Sequence, residues 1–505
     1  MRKPATSIAR TGEADIKAQS IRATGRPLWR RFLRALAWLL FIATMAVFVF
    51  VAWNRIDEPP TEAARLHATE TRRMVADSDN AWLAFAGLGA APGGDPIALG
   101  RRRVEAYRAR FEQFPGRPAD ANEQELFTDV VTAVKPEAGA VDGDALCPER
   151  DTDCIEWAHS HSRVLVHLRN ANAVLLRRFE VLSHLPDWQM LYPASADAPR
   201  LDTFIPRLYL NLLALGLAPD ESTTGSPRDA AALVRLADTA EFWRRVRSQP
   251  QDLDTILESG RQLETAYWIF SAWLDHADIK QIEANMESVN RVVQPLPTPV
   301  DWSVAMAAEY QSFAHTMAQE LPGPVAALGR CVSGSAKGGC LRYLAMNATY
   351  LPQATLNLRA GQLAAIQQIL ESSPTDLARV EQEAGAAIQA TFPLPDDGWL
   401  LLRQTSYNFS GRILAAMAVP TFDWGRREHD REALRRLVVL KWGARAEGVH
   451  ADEMPQYLRV LDSSFNNPLT GQPFNWDRQQ HVLHFSPLSE NYWKRKRVEV
   501  SYTDP

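Results

Sequence analysis

Four cysteines and two nearby histidines are the residues of this chain whose spacing points most directly to chemistry. Cys147, Cys154, His159 and His161 follow one another in the spacing C-x6-C-x4-H-x-H. Cysteine and histidine are zinc ligands, but no common zinc module has this spacing. Close cysteine pairs in a protein outside the cytoplasm are typical of disulfides that close short loops. The spacing therefore predicts a Cys147–Cys154 disulfide, no metal site, and a hydrogen-bonded core role for His161.

A second cysteine pair, Cys331 and Cys340, encloses a segment rich in glycine that also contains Ser335 and Lys337. Glycine, serine and lysine together suggest a phosphate-binding loop or a nucleophile, but the enclosing cysteines favour a surface loop closed by a disulfide. The local signatures of serine hydrolases, zinc proteases, P-loop NTPases and dinucleotide-binding enzymes are missing from the sequence. We therefore predict no catalytic residue and no cofactor from local motifs.

The run Arg427–Arg431 contains arginine, glutamate, histidine and aspartate in succession, which are the residue types of an acid/base pair. The apolar residues Leu434, Leu437 and Val438 follow it at helical spacing. Charge runs on such helices are usually solvated faces or ion-paired caps. We therefore predict that residues 427–431 form a solvated face or an ion-paired cap. The carboxylate pair of a glycan hydrolase cannot be selected among 60 acidic residues without geometry.

Fifteen tryptophans are a high number for 505 residues, and ring stacking on sugars is one use for them. Most, such as Trp243 and Trp268, continue helical apolar stripes and are predicted to be core residues. Trp476 and Trp493, with Phe474, belong to the C-terminal segment instead. If exposed there, these rings would anchor a partner protein, so they are the predicted partner-binding residues.

The first 53 residues contain a candidate membrane-spanning helix, which decides on which side of a membrane the other residues lie. Residues 35–53 carry no charge, and as a helix they span about 28 Å, close to the thickness of a bilayer core. Residues 1–34 hold nine basic and two acidic residues, so the positive-inside rule puts the N-terminus in the cytoplasm. A cleaved signal peptide is the alternative, but Trp53-Asn54-Arg55 lacks a small-residue cleavage site. We predict a single-pass bacterial inner-membrane protein with a periplasmic C-terminal bulk, in contact with lipid through residues 35–53.

Charge excludes one class of partner. Subtracting the surplus of seven positive charges in residues 1–34 from the net charge of −5 leaves −12 for residues 35–505. A nucleic-acid-binding surface needs a basic patch, so no nucleic-acid partner is expected. A hydrophobic content of 46% is ample for a large core.

The predicted fold is mainly α, with residues 54–445 forming a large helical region. Leu233 and Leu236 belong to one apolar stripe, and Leu263 and Phe270 to the next, at the three- and four-residue steps of buried helix faces. A single further helix is predicted from Trp157 to Leu182. After another helix from about Arg426 to Gly443, residues 446–505 change character, with turn residues and two or three short strands. The strands are expected at 474–476, 481–485 and 498–502.

The segment from Asn467-Pro468-Leu469-Thr470-Gly471 through Gln472-Pro473-Phe474-Asn475-Trp476 resembles the C-terminal part of type II secretion major pseudopilins. There too a helix leads into a turn with proline and glycine and then a short sheet. The resemblance covers roughly 60 residues. At the N-terminus the chain has Arg30-Arg31-Phe32-Leu33-Arg34 in place of the pseudopilin processing site. Because of this difference, membership in a secretion or pilus system ranks third among the functions considered.

A broader resemblance is to uncharacterised single-span envelope proteins of proteobacteria. It rests on 79–88, 92–96 and 100–101, which read DNAWLAFAGL, PGGDP and GR, and on 427–430. The resemblance implies a compartment and an architecture, and no activity. The leading hypothesis is a non-catalytic envelope interaction or scaffold protein with a protein partner. The enzymatic alternative is a membrane-tethered hydrolase of the cell wall or of glycans.

Overall fold

A computed structural model of the chain separates it into two compact units, Met1–Asp57 and Glu58–Pro505. The structure describes residues 28–69, 74–113, 130–136, 146–147, 153–195, 198–199, 202–218, 227–249, 252–297, 299–334, 339–391, 407–417 and 423–505. Most of the predicted basic arm, residues 1–27, lies outside these residues, as do Ser335 and Lys337.

The first unit contains helix α1 (Leu28–Trp53). Its stretch Trp29–Phe50 comprises 22 residues and includes an 18-residue window with a mean hydropathy of 2.2, so it is long and apolar enough to cross a membrane. The helix begins before the predicted start at Ala35, because Phe32 and Leu33 continue the apolar pattern between the arginines and no helix-breaking residue intervenes.

Helices build most of the second unit, as the sequence predicts. The first group is α2 (Glu62–Thr69), α3 (Ala81–Ala86), α4 (Pro96–Gln113), α5 (Cys154–Ser160), α6 (Ser162–Ala171), α7 (Ala173–Leu182) and α8 (Phe204–Gly216). The central group is α9 (Pro227–Ser248), α10 (Leu253–His276), α11 (Ile279–Ala284), α12 (Met286–Val293) and α13 (Trp302–Glu320). The last group is α14 (Pro324–Val332), α15 (Cys340–Ala348), α16 (Pro352–Glu371), α17 (Leu377–Thr391), α18 (Phe409–Met417), α19 (Asp423–Ala446), α20 (Met454–Val460) and α21 (Glu490–Trp493).

Helices α9 and α10 pack together at the centre of the body, and their predicted stripes are confirmed. Leu233, Leu236, Leu263 and Phe270 are all buried in one continuous core. Apolar side chains at three- and four-residue steps remove one face of each helix from water, which supplies the main driving force for the packing.

The prediction of a single helix from Trp157 to Leu182 is wrong. The structure has three helices there, α5, α6 and α7, with breaks at His161 and Asn172. The side chain of buried Asn172 bonds the main chain of a neighbouring segment: Nδ2 donates to Val134 O at 3.0 Å, and Oδ1 accepts from Val134 N at 2.9 Å. A side chain that satisfies another segment's backbone competes with continuation of the helix.

The predicted strands form an antiparallel sheet of order β1-β2-β3. The strands are β1 (Asn475–Asp477), β2 (Val482–Phe485) and β3 (Val498–Ser501). Leu483 pairs with Trp476 on one side and with Val500 on the other. Leu483 and Val500 are buried on the face of the sheet that packs against α19, in the same core as the helical body. Helix α19 extends beyond its predicted limits at both ends.

Candidate functional site

The structure brings the predicted cysteine pairs together. The Cα atoms of Cys147 and Cys154 lie 5.6 Å apart, and those of Cys331 and Cys340 lie 5.1 Å apart, each pair joined as a disulfide. The first bridge is buried at the start of α5, and the second joins α14 to α15. Because Cys147 and Cys154 bind each other, they do not form a zinc site with the histidines that follow.

His161 is hydrogen-bonded as predicted, but it is half-buried at the end of α5 rather than in the core. Its Nδ1 lies 2.8 Å from the carbonyl oxygen of Trp157 and 2.9 Å from Oγ of Ser160. The imidazole also stacks on the Trp157 ring, with centroids 4.2 Å apart. These contacts give His161 a structural role at the break between α5 and α6.

The aromatic residues predicted as exposed anchors need a correction. Phe474 and Trp493 are 3% and 1% exposed, so neither ring is available to a partner. Trp476 is half-buried, with its ring 6.0 Å from that of His481 and 6.0 Å from that of Tyr502. The physical reason is that the sheet is too small to bury its own apolar face, so these rings complete the shared core.

The prediction for the charge run at 427–431 is corrected in part. Arg427 is ion-paired near the start of α19, with Asp423 2.8 Å away, but the end of the run is not solvated. Asp430 and Arg431 are buried rather than solvated, because α19 lies between α10 and the C-terminal segment and is covered on several sides. Asp430 accepts hydrogen bonds from Leu488 N at 2.7 Å, Ser489 N at 2.9 Å and the Trp493 indole at 3.1 Å. Burial raises the pKa of the Asp430 carboxyl to about 7. All three of these donors belong to the C-terminal segment, so Asp430 joins α19 to that segment.

Next to Asp430 lies a largely buried group of four charged side chains and one tyrosine, which we call the ionic core: Arg247, Glu264, Glu428, Arg431 and Tyr492. Nε of Arg431 donates to Glu264 at 2.7 Å, and its Nη1 donates to Glu428 at 2.5 Å. Arg247 donates to Glu428, and the Tyr492 hydroxyl donates to Glu264 at 2.7 Å. The two arginines and two glutamates balance in charge, which buried ions require.

Gly260 lets the arginines of the ionic core approach α10. A Cβ atom there would overlap the guanidinium groups of both Arg431 and Arg247. Gly260 is buried in the middle of the helix, where glycine is otherwise unfavourable. Its absent side chain is therefore a packing requirement of the ionic core.

Lys441 forms a second buried ion pair on α19. Its Nζ lies 2.7 Å from Oδ2 of Asp275 and donates to Ser271 O, also at 2.7 Å. Asp275 further accepts from Ser501 Oγ at 2.6 Å and Thr503 Oγ1 at 2.8 Å. This pair links α10 and α19 to strand β3, so it too is structural.

A cleft of about 630 Å³ opens among α3, α9, α10 and α13, and we call it the aromatic cleft. Ring centroids of Phe85 and Trp188 are 5.7 Å apart, and those of Trp188 and Trp243 are 6.2 Å apart, so the rings form one group. The aromatic lining is Trp82, Phe85, Trp188, Trp243 and Trp424. The charged lining is Asp252, Asp254, Glu258, Arg261 and Glu309.

Asn80 fixes the aromatic wall. Its Nδ2 donates to Gln189 O at 2.9 Å, while its Oδ1 accepts from Gln189 N at 2.9 Å and from Trp82 N at 3.1 Å. The backbone of Trp188 in turn donates to Gln249 Oε1 at 2.5 Å. A fully buried side chain with three such bonds holds the loop before α8 against α3. The positions of Trp82 and Trp188 are thereby set together.

The acidic side chains of the aromatic cleft make different contacts. Asp252 caps α10 by accepting from Thr255 N at 2.9 Å, and Glu258 accepts from Gln262 at 2.7 Å. Arg261 lies 3.5 Å from Glu258. With four acidic residues and one basic residue, the charged lining has an excess of negative charge. Of the aromatic lining only Trp424 is half-buried, and the other four rings are at most 5% exposed and form the floor of the cleft. A partly exposed aromatic ring beside negative charge favours a ligand with an apolar body and a positive group.

Sequence reasoning did not find the aromatic cleft. The one local signal is the acidic group at 252, 254 and 258, which opens α10. The sequence predicts Trp243 to be a core residue, and the residue is 2% exposed, at the floor of the cleft. Trp82 belongs to a segment quoted above only for its resemblance. Because the walls come from separate segments, their meeting requires the tertiary fold.

Comparison with known proteins adds no relative. No protein-family model matches the chain, and neither the curated proteins nor the solved structures give a significant match. The resemblances to envelope proteins and to pseudopilins therefore stay predictions, and the chemistry of the cleft follows from its own residues.

Proposed function

We propose that this chain is a membrane-anchored envelope protein that binds a ligand outside the cytoplasm and does not catalyse a reaction on it. Helix α1 supports the anchoring by its length and composition. The two disulfides support a compartment outside the cytoplasm, where such bonds persist. The basic arm supports a cytoplasmic N-terminus.

The aromatic cleft carries the proposal for binding. Its volume of about 630 Å³ suits a small molecule, since ligand sites usually enclose about 300–1,000 Å³. The half-buried Trp424 ring and the negative lining suit an organic cation, in which an ammonium or amidinium group is attached to an apolar body. The ligand proposed is therefore an organic cation.

Binding is favoured over glycan hydrolysis because three acidic side chains, two in the cleft and one in α19, hydrogen-bond to groups of the fold. Hydrolysis requires two carboxyl groups free to act as acid and as base or nucleophile. Asp252 is a helix cap, Glu258 holds Gln262, and Asp430 is enclosed by backbone and indole donors. An envelope protein partner, the leading hypothesis from the sequence, is compatible with a ligand cleft and is tested separately below.

The cleft is tested with the full chain in detergent. Thermal unfolding is measured with quaternary ammonium ions, polyamines and neutral oligosaccharides of N-acetylhexosamine as probes. We expect cations to raise the midpoint, and Asp254→Asn with Glu309→Gln to weaken their binding about tenfold, the loss of roughly 1.4 kcal/mol. Asp452→Asn, an exposed carboxylate outside the cleft lining, is the matched control. Stabilisation by neutral sugars alone, or their cleavage seen by mass spectrometry, would favour the hydrolase instead.

Anchoring and a protein partner are tested in cells. Alkaline phosphatase fused to the C-terminus is active only outside the cytoplasm, so activity and resistance to carbonate extraction are both expected. A photo-crosslinker at the exposed Arg478, beside Trp476, captures any protein that contacts the sheet. A specific adduct that the same crosslinker does not form from the exposed Asp452, outside the sheet, would support a protein partner, and the absence of any adduct at Arg478 would leave ligand binding as the function.

A further inference from the structure

The disulfide-closed hairpin formed by α14 and α15 carries an unusual exposed apolar surface. Val325, Leu328 and Val332 on α14 are 87%, 54% and 84% exposed, and Leu341 on α15 is 84% exposed. Their spacing of three and four residues puts the three α14 side chains on one face of the helix. We call these four residues the outer stripe.

The hairpin packs through its other face, so the outer stripe is not a poorly packed core. Ala327 and Tyr343 are buried on the inner side. Asn347 is also buried, accepting from Gly323 N at 3.1 Å and donating to Tyr343 O at 2.9 Å. The hairpin is therefore a well-bonded element whose outer stripe has no covering in the described part of the chain.

The charge of this region is opposite to that of the body. Between Glu320 and Glu371 the chain has no acidic residue, and its charged residues there are arginine or lysine. Arg342 is exposed beside Leu341, and Arg330 is half-buried on α14. Residues 35–505 as a whole carry a net charge of −12. Apolar side chains with basic neighbours and no acidic ones are typical of helices that lie in the interface of an anionic bilayer.

The hairpin also adjoins the place where the body begins. Asn357, in the helix α16 that directly follows the hairpin, donates to Pro59 O at 2.9 Å and to Glu58 Oε2 at 3.2 Å. It also accepts from Thr61 N at 3.0 Å. By sequence, only four residues separate Trp53, the end of α1, from Glu58. A chain anchored through α1 would therefore keep the start of α16 close to the bilayer.

We propose that the outer stripe lies in the headgroup layer of the bilayer and that Arg342 binds its anionic lipids. The body would then have a second membrane contact besides α1. The proposal rests on the anchoring proposed above, and it is independent of what the aromatic cleft binds.

The test is photo-crosslinking of the full chain reconstituted into phosphatidylcholine liposomes with and without phosphatidylglycerol. A photo-reactive residue replaces Val332 or Leu341 in turn. Val460, which is 74% exposed on α20, is the matched exposed apolar control, and Phe41 within α1 reports on anchoring. Lipid adducts at Val332 and Leu341, several-fold above Val460 and greater with phosphatidylglycerol, are expected.

Charge reversal tests the lipid class. Arg342→Glu should lower the adduct yield at Val332 at least about fivefold in anionic liposomes, since one basic side chain at such a surface contributes about 1 kcal/mol. Arg459→Glu on α20 should leave it unchanged.

Adducts at Phe41 but not at the outer stripe would overturn the docking and leave the anchoring intact. No lipid adduct at any position would overturn both. Crosslinks from the outer stripe to protein instead of lipid would reassign it to a protein interface. Unaltered yields for Arg342→Glu would remove anionic lipid from the proposal.

Discussion

The indole Nε1 of Trp493 donates a hydrogen bond to Oδ2 of Asp430 over 3.1 Å, in a place where both side chains are almost completely shielded from water. The residues are 63 positions apart, and the bond fixes the C-terminal segment to α19. It explains why neither an exposed tryptophan nor a solvated aspartate is found there. The C-terminal sheet and the helical body therefore stabilise one another.

Asp430 makes stability depend on pH. Its pKa is raised to about 7 by burial from an ordinary value of 3.8. The folded protein thus keeps this proton to a higher pH than the unfolded chain does, and the free energy of unfolding falls as the pH rises from about 4 to about 7. The shift corresponds to about 4 kcal/mol over that window. Asp430→Asn removes this slope.

The measurement is urea unfolding of the wild type and of Asp430→Asn at several pH values. The stability of the wild type relative to the variant should decrease from pH 4 to pH 8, while other titrating groups cancel in the difference. Asp452→Asn serves as the exposed control and should show no such trend. A constant difference for Asp430→Asn would mean that the carboxyl ionises as it does in water.

Gly260 tests the packing of the ionic core. Gly260→Ala forces the guanidinium groups of Arg431 and Arg247 away from α10, so we expect the free energy of unfolding to fall by about 1–3 kcal/mol. Gly361→Ala is the matched control, because Gly361 lies in α16 with open space at its Cβ position. That change should stabilise the protein by up to about 1 kcal/mol through helix propensity. Equal effects at both glycines would contradict the close approach.

Lys441 and Asp275 should behave as a coupled buried pair. Lys441→Met leaves Asp275 without its counter-charge and should cost about 3–5 kcal/mol, whereas the double variant with Asp275→Leu should cost less than the two single changes added together. A double-mutant cycle in chemical denaturation measures the coupling. Arg379→Gln, in an exposed pair with Glu383, should cause no measurable change. Strict additivity at 441 and 275 would show that the ion pair does not form.

The two disulfides should differ in their effects. Replacing Cys147 and Cys154 by alanine should lower the free energy of unfolding by about 2.5 kcal/mol, since the bridge restricts the unfolded chain and lies in the core. Replacing Cys331 and Cys340 should mainly speed hydrogen exchange in α14 and α15, because that hairpin can open locally. Peptide mass analysis under non-reducing conditions checks both pairings. Identical losses of global stability would contradict a locally acting second bridge.

Local pattern alone determined several features of this protein. The apolar run of α1, the stripes of α9 and α10, the helix α19 and the three strands all appear in the sequence because side-chain periodicity reports which face of an element is buried. The cysteine pairs were recognisable for a similar reason, since each pair is close in sequence and so close in space. These features depend on neighbours within a few residues.

Only the tertiary structure decided which charges are buried and where a ligand fits. Arg431 and Glu264 are 167 residues apart, and Asn80 and Gln189 are 109 residues apart, so neither pairing leaves a local signal. Charged residues beside an apolar stripe look solvated until a third element covers them, as the C-terminal segment covers Asp430. A charged side chain can be buried only where another segment supplies a partner of opposite charge, and a cleft forms only where the surfaces of separate segments do not pack against each other. Both are properties of how distant segments pack, and periodicity along the chain does not encode them.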